Sequence, residues 1–265
     1  MSPSQHLPQK PRSFRTLRTI FALMLREMSS TYGRTAMGYV WAIIEPVGAI
    51  LLLSLVFSAA LRSPGLGTNF ALYYASALLP YLAFGDVSAK VALSLRFSRP
   101  LLAFPAITYV DPFLARGLLN AMVQVLIACI MFPALIIGYQ LDVIVSIPQI
   151  VFGYLMALSL GFGVGVLNGF LFMKYPSWQR VWAILTRPLL FVSCIFFLLE
   201  TVPEPYRGIL WYNPLVHVTG QVREGIYATY EPVYVSPLYV FSLALALTTL
   251  GLLLLRRHYR DLIHR

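Results

Sequence analysis

Six long apolar runs divide the chain, near residues 37–61, 70–90, 117–141, 143–173, 178–199 and 233–255. Each reaches or exceeds the roughly 20 residues a helix needs to cross a bilayer, so the pattern predicts an all-α membrane protein with six transmembrane helices. The fourth run is longer than one crossing needs, and its "GFGVGVLNG" (161–169) predicts a tilted helix or a break. The fifth contains Arg187-Pro188, which sets its first turns at an interface. No motif returns at a fixed period, which excludes a repeat array.

Between the runs the polar positions are patterned too. Residues 1–13 are polar and Pro-rich and read as a disordered tail. In "FRTLRTIFALMLREM" (14–28), helical spacing puts Phe14, Leu17, Phe21, Met24, Leu25 and Met28 on one face and Arg15, Arg18 and Arg26 on the other. Such a helix, over 14–30, lies in the membrane plane, either as a passive anchor or as a mechanical element. In "RFSRPLLAFPAITYVDPFLAR" (96–116), Pro100, Pro105 and Pro112 cut the connection into short pieces. Leu101, Leu102 and Phe104 beside Arg96 and Arg99 make either a docking knob for a soluble partner or a loop folded back on the membrane. The segment "NPLVHVTGQVREGIYATYEP" (213–232) is as long as a span but half polar. Asn213-Pro214 predicts a helix start and Glu231-Pro232 its stop. Leu215, Val218, Val222 and Ile226 form one face, and His217, Gln221 and Glu224 the other. The helix either lines or lids an outward exit or lies flat on the outer leaflet, anchored by Trp211, Tyr212, Tyr227 and Tyr230.

Two charged positions fall inside or beside spans. Glu45-Pro46 sits in the first, where a carboxylate faces a pathway or subunit contact, or pairs with an Arg near the interface. Asp86 and Lys90, four apart, predict a local ion pair.

Composition and charge fix the class and the orientation. Hydrophobic residues make up 58% of 265, charged residues 11%, and mean hydropathy is +0.74. That leaves too little polar surface for a soluble domain. Of the 20 Lys and Arg, 17 fall in the two tails and the second and fourth connections with their flanks. The opposite side holds only Arg62, Arg207 and Arg223, while four of the ten acids lie in 200–232. Basic residues stay inside, so both termini read as cytoplasmic and 200–232 as external. The net charge of +10 is therefore a cytoplasmic rim facing anionic lipid headgroups, not a nucleic-acid surface. Cys129 and Cys194 read as packing residues inside spans, and no cleaved signal peptide is evident.

Several chemistries have no residues to carry them. The three lysines, Lys10, Lys90 and Lys174, none of them after a glycine, give no phosphate-cradling loop, so ATP hydrolysis would need another polypeptide. The four histidines are scattered, and there is no Cys/His metal pattern and no Gly-x-Ser-x-Gly. The pattern argues against an intramembrane enzyme and against a secondary transporter with buried carboxylates in two matching halves. Six helices are few for a wide aqueous path, which points to a dimer.

The basic amphipathic helix followed by "GYVWAIIEP" (38–46), with 213–232 before the last span, resembles the membrane subunit of bacterial ABC exporters for polysaccharide, in the branch that exports capsular polysaccharide. The resemblance covers about 14–260. It implies a multi-pass protein of the bacterial inner membrane, a homodimer joined to two copies of a cytoplasmic ABC ATPase that binds the ATP and Mg, with no cofactor in this chain. It implies an interfacial helix at 14–30, a six-span domain at 31–258, a coupling loop near 96–112 and a cytoplasmic tail at 259–265. The external part, 200–232, would carry two short re-entrant helices near 203–211 and 214–226. The cargo would be a lipid-linked acidic glycan, passed to a periplasmic polysaccharide co-polymerase or adaptor and an outer-membrane export channel. Arg96, Arg99, Leu101, Leu102 and Phe104 would couple to the ATPase. Tyr39, Trp41, Tyr73, Tyr74, Tyr81, Tyr212 and Arg223, chosen by residue type and position, would line the glycan pathway. A permease for O-antigen, teichoic acid or a hydrophobic small molecule, and a proton-coupled secondary transporter, are the alternatives.

Overall fold

The structure, a computed structural model, describes residues 15–31, 38–98 and 108–263. The described residues are helical and contain no strand. A surface helix, α1 (Arg15–Thr31), precedes α2 (Gly38–Ala60), α3 (Phe70–Ala92) and the short α4 (Ser94–Ser98). Then come α5 (Asp111–Gly138), α6 (Ile147–Lys174), α7 (Trp178–Val192), α8 (Tyr206–Trp211), α9 (Pro214–Ile226) and α10 (Pro237–Ile263). The 1–13 tail predicted to be disordered lies outside the described residues.

Local sequence sets the helix starts. Asn69 caps α3, its side chain accepting from the Leu72 amide at 3.0 Å. Prolines open α5, α6, α9 and α10, where the missing N–H costs nothing because first-turn amides have no helical partner. Pro46, Pro80 and Pro133 stay inside α2, α3 and α5 without ending them.

Five helices among the described residues are long and apolar enough to cross a membrane: Val40–Ala60, Phe70–Ser98, Asp111–Gly138, Ile147–Lys174 and Pro237–His258. The fifth predicted run departs from expectation. Helix α7 has 15 residues, so it is about 22 Å long, short of a hydrocarbon core of about 30 Å. At Ser193 the backbone leaves the helix, Cys194 takes a positive φ of 55°, and a 3-10 turn forms at Leu199–Thr201.

Helix α6 is the centre of the bundle, and its glycines explain why. It is continuous, so the break predicted at 161–169 does not occur. Gly161, Gly165 and Gly169 recur every fourth residue and so share one face. A β-carbon on Gly161 would lie 2.8 Å from the Phe84 carbonyl oxygen, and one on Gly165 2.7 Å from Val91, so this face lets α3 close in. Gly163 lies on the opposite face, where a β-carbon would come 2.5 Å from the Ala244 carbonyl oxygen of α10. Without a hydrophobic drive between helices in lipid, such close approach is what holds them together.

Helix α3 is the most buried span and α2 the least. Trp41, Leu52, Leu55 and Val56 of α2 are exposed, and α7 has no buried residue. Helix α1 packs on α5, with Ile20 buried, and leaves Phe21, Leu25 and Met28 exposed. The ion pair predicted between Asp86 and Lys90 is not made: Asp86 instead accepts from the Gln124 side chain of α5 at 2.9 Å. Glu45 is exposed, and neither of the two ion pairs among the described residues involves it. Cys129 is exposed on α5 and Cys194 is buried; both are free thiols.

Candidate functional site

The irregular end of α7 and the helices α8 and α9 form one unit. Asn213 caps α9, its side-chain oxygen accepting from the Leu215 amide at 3.1 Å. Its amide nitrogen donates to the Val192 carbonyl at 2.9 Å, so the same side chain also serves an orphan carbonyl at the end of α7. One turn into α9, Thr219 donates to the Ser193 carbonyl at 3.3 Å. A further turn on, Arg223 donates to the carbonyls of Cys194 at 2.7 Å, Ile195 at 2.9 Å and Phe197 at 3.2 Å. Its guanidinium lies over the Tyr73 ring, 4.5 Å from the centroid. Backbone without helical bonds must find donors when water is excluded, and α9 supplies them in register with residues 192–197.

The helix predicted at 214–226 is present, started by Asn213-Pro214 as expected. It ends at Ile226 rather than at Glu231-Pro232. Its two predicted faces are both covered: residues 215–223 are all buried, because α9 lies on α3 and α6. Gln221 bonds Gln149 of α6 at 2.8 Å and Glu224 at 2.9 Å.

His217 fastens α8 and the entry to α10. Its Nε2 lies 2.8 Å from the Trp211 carbonyl and its Nδ1 accepts from the Ser236 amide at 3.0 Å. A neutral ring protonated on Nε2 satisfies both. The imidazole stands against Trp211, Tyr234 and Tyr239, and Tyr239 donates to the Tyr212 carbonyl at 2.7 Å. Burial pushes the His217 pKa down from its ordinary value. Nearby, Tyr230 donates to Glu200 at 3.0 Å, and burial, followed by Tyr234 and Glu200, pushes its phenol up.

The predicted pathway residues separate into three settings. Tyr73, Tyr74 and Arg223 come together, but deep in the protomer: Arg223 has no exposed surface and each tyrosine is 1% exposed. Within one protomer, then, Arg223 braces backbone and Tyr73 lies beneath it. Tyr74 belongs to a row of rings through Phe57 and Phe196 to the exposed Phe191, with successive centroids 5.2–5.6 Å apart. Tyr81 is half-buried and lines a cavity of about 390 Å³ between α3 and α7, its hydroxyl 3.4 Å from the Thr186 carbonyl. Trp41 and Tyr212 are exposed, at 66% and 70%, on α2 and beside α8. The side chain of Tyr39 lies outside the described residues. Of the predicted coupling residues, Arg96 is exposed on α4, and Arg99, Leu101, Leu102 and Phe104 lie outside the described residues. Sequence reasoning missed Thr219, Tyr234 and the bond of Asn213 to the end of α7. Only Asn213 carried a signal, as a cap, and nothing marked its second bond.

The family model for the ABC-2 type transporter matches residues 18–227. The chain belongs to the ABC-2 type transporter family. It is 29% identical over 238 residues to the polysialic acid transport protein KpsM of Escherichia coli, covering 90% of this chain and 92% of that one. It is 24% identical over 241 residues to the capsule polysaccharide export inner-membrane protein CtrC of Neisseria meningitidis serogroup A, with 91% of each covered. For the capsule polysaccharide export inner-membrane protein BexB of Haemophilus influenzae the identity is 25% over 243 residues, with 90% of each covered. This ABC-2 permease is thus a multi-pass membrane protein, and its matched region takes in every element from α2 to the end of α9.

Proposed function

We propose that the chain is the inner-membrane subunit of an ATP-driven exporter that moves a lipid-linked capsular polysaccharide outward, working as a homodimer with two copies of a separate ATPase. The observation that carries this reading is the end-to-end match to transport proteins named for polysialic acid and capsule polysaccharide, covering about nine-tenths of both chains. The absence of a phosphate-binding loop from the sequence fits a motor on another polypeptide. A periplasmic adaptor and an outer-membrane channel take the glycan onward.

In this reading α7 makes the sixth crossing together with residues 193–198. Residues 193–197 turn and bend rather than extend, so they add a short irregular stretch to the helix's length of about 22 Å. Six crossings put both termini on one side, as the basic residues require; five would not. The helices α8 and α9 then enter the bundle from outside as a re-entrant pair, and α1 lies on the cytoplasmic face with Phe21, Leu25 and Met28 toward lipid. The uncovered faces of α2 and α7 supply the contact for a second copy and, between copies, a wall with Trp41 and Phe191 available to stack on sugar rings.

Purification from mild detergent with partner identification tests the assembly, and reconstitution with the ATPase in sealed vesicles tests the transport. ATP-dependent movement of an acidic glycan is expected. Transport by the chain alone along a proton gradient would refute the reading.

A further inference from the structure

Arg116 lies in the second turn of α5 and is 7% exposed, outside the unit formed by α7, α8 and α9. It pairs with Glu27 of α1. Its other terminal nitrogen faces the Lys90 carbonyl, in the last turn of α3, at 3.4 Å. The guanidinium carbon lies 4.5 Å from the ring centroid of Phe97 on α4. One cation on α5 therefore touches three further elements at the inner end of the bundle.

An anchor helix does not need this. Helix α1 already packs on α5 with Ile20 buried, and Phe21, Leu25 and Met28 remain exposed for lipid. A buried ion pair also returns little stability, because desolvation offsets much of its attraction. Its better-attested use is to fix one geometry, and a planar fork that faces a carboxylate, a helix-end carbonyl and a ring does that. Helix α4 carries Arg96 and precedes, in the sequence, the other residues expected to couple to the ATPase.

We propose that Glu27, Arg116 and Phe97 form a mechanical clamp that makes α1 part of the coupling machinery. The clamp ties α1 and the inner end of α3 to α4, so a displacement delivered beside α4 moves all of them together. Arg116 is a positioning residue, touching neither nucleotide nor cargo. The clamp rests on the ATP-driven reading above.

The test uses the full chain co-assembled with its ATPase in proteoliposomes, with Glu27→Gln, Arg116→Lys and the double variant. Glu27→Gln keeps shape and a hydrogen bond while removing the charge; Arg116→Lys keeps the charge but not the fork. Three quantities are read: transporter assembled, ATP hydrolysed, and glycan exported per ATP. Each single variant is expected to assemble and hydrolyse ATP at wild-type level while export per ATP falls roughly fivefold. The double variant should fall no further than the worse single, because the two residues act as one unit. Unchanged export per ATP in the singles, independent losses that multiply in the double, or losses explained wholly by reduced assembly would each overturn the clamp. A wild-type assembly that exports nothing with ATP would instead remove the exporter reading, and the clamp with it.

Discussion

Replacing Arg223 by methionine keeps most of the apolar stem and deletes the group that holds three backbone carbonyls. Those carbonyls, on Cys194, Ile195 and Phe197, lie where α7 has stopped supplying helical partners. Hydrogen bonds to a charged group contribute about 1.5–3 kcal/mol each, and an unsatisfied buried acceptor costs about 1–3 kcal/mol. The three share one donor group and cannot be summed, so about 3–5 kcal/mol is expected, the range found when one partner of a buried charged arrangement is removed. Lysine at the same position brings one point charge in place of a fork and should recover only part of that loss.

Cys194 reports this locally. It is fully buried beside the guanidinium, whereas Cys129, the other cysteine, is exposed. In a Cys129→Ala background, maleimide labelling in detergent should be slow for the parent and at least tenfold faster for Arg223→Met, since about 1.4 kcal/mol of easier local opening already gives that factor. The midpoint of thermal unfolding should drop on the order of 10 °C. Labelling and midpoint both at parental values would refute the view that Arg223 braces the end of α7, and would return it to the set of residues available to cargo.

Three other outcomes follow from the packing and the charges. The His217 pKa is lowered in the fold, so below about pH 6.5 the unfolded chain binds the extra proton and the folded one resists it. Stability should be full above that pH and fall as pH drops through the folded value; the change in unfolding midpoint between pH 7.5 and 5.5 should shrink in His217→Gln. Gly163→Val should destabilise by about 3 kcal/mol or more, because its β-carbon meets the Ala244 backbone, whereas Gly48→Ala, with nothing within 4 Å, should be neutral or slightly stabilising; thermal unfolding of the two variants checks the contrast. Leu101→Asp or Phe104→Asp should abolish glycan export while leaving the spans folded, and binding of the ATPase and export both at wild-type level would remove the docking role of that connection.

The bilayer made much of this fold legible. It demands about twenty apolar residues per crossing, so α2, α3, α5, α6 and α10 stand out by length alone. Asn213-Pro214 was equally readable because a cap is a local event. What failed depended on a distant partner. The glycines of α6 weaken an isolated helix and admit a close neighbour in a packed one, and only α3 and α10 decide between the two. Asp86 had Lys90 within reach on its own helix but bonds Gln124, 38 residues away. The end of α7 was hidden because hydropathy cannot see backbone: residues 193–199 are nearly all apolar, with no Gly or Pro to mark the exit from the helix. The charge of Arg223 was visible in the sequence, but its bonds to the carbonyls of Cys194, Ile195 and Phe197 were not, because orphan carbonyls leave no mark there.

The short helix α7 and the buried helix α9 explain each other. A chain that leaves the helix at Ser193 exposes carbonyls that lipid cannot satisfy, so it is stable only where protein supplies donors. A polar helix such as α9, with His217, Gln221 and Arg223, is stable when buried only where protein supplies acceptors. Each provides what the other lacks, through Asn213, Thr219 and Arg223 at successive steps along α9. A helical wall moves as a rod, because its own hydrogen bonds fix it. The segment 193–198 is fixed by side chains of another helix, so any displacement of α9 must re-seat it. In the exporter proposed above, that is where the wall can change shape without breaking a span.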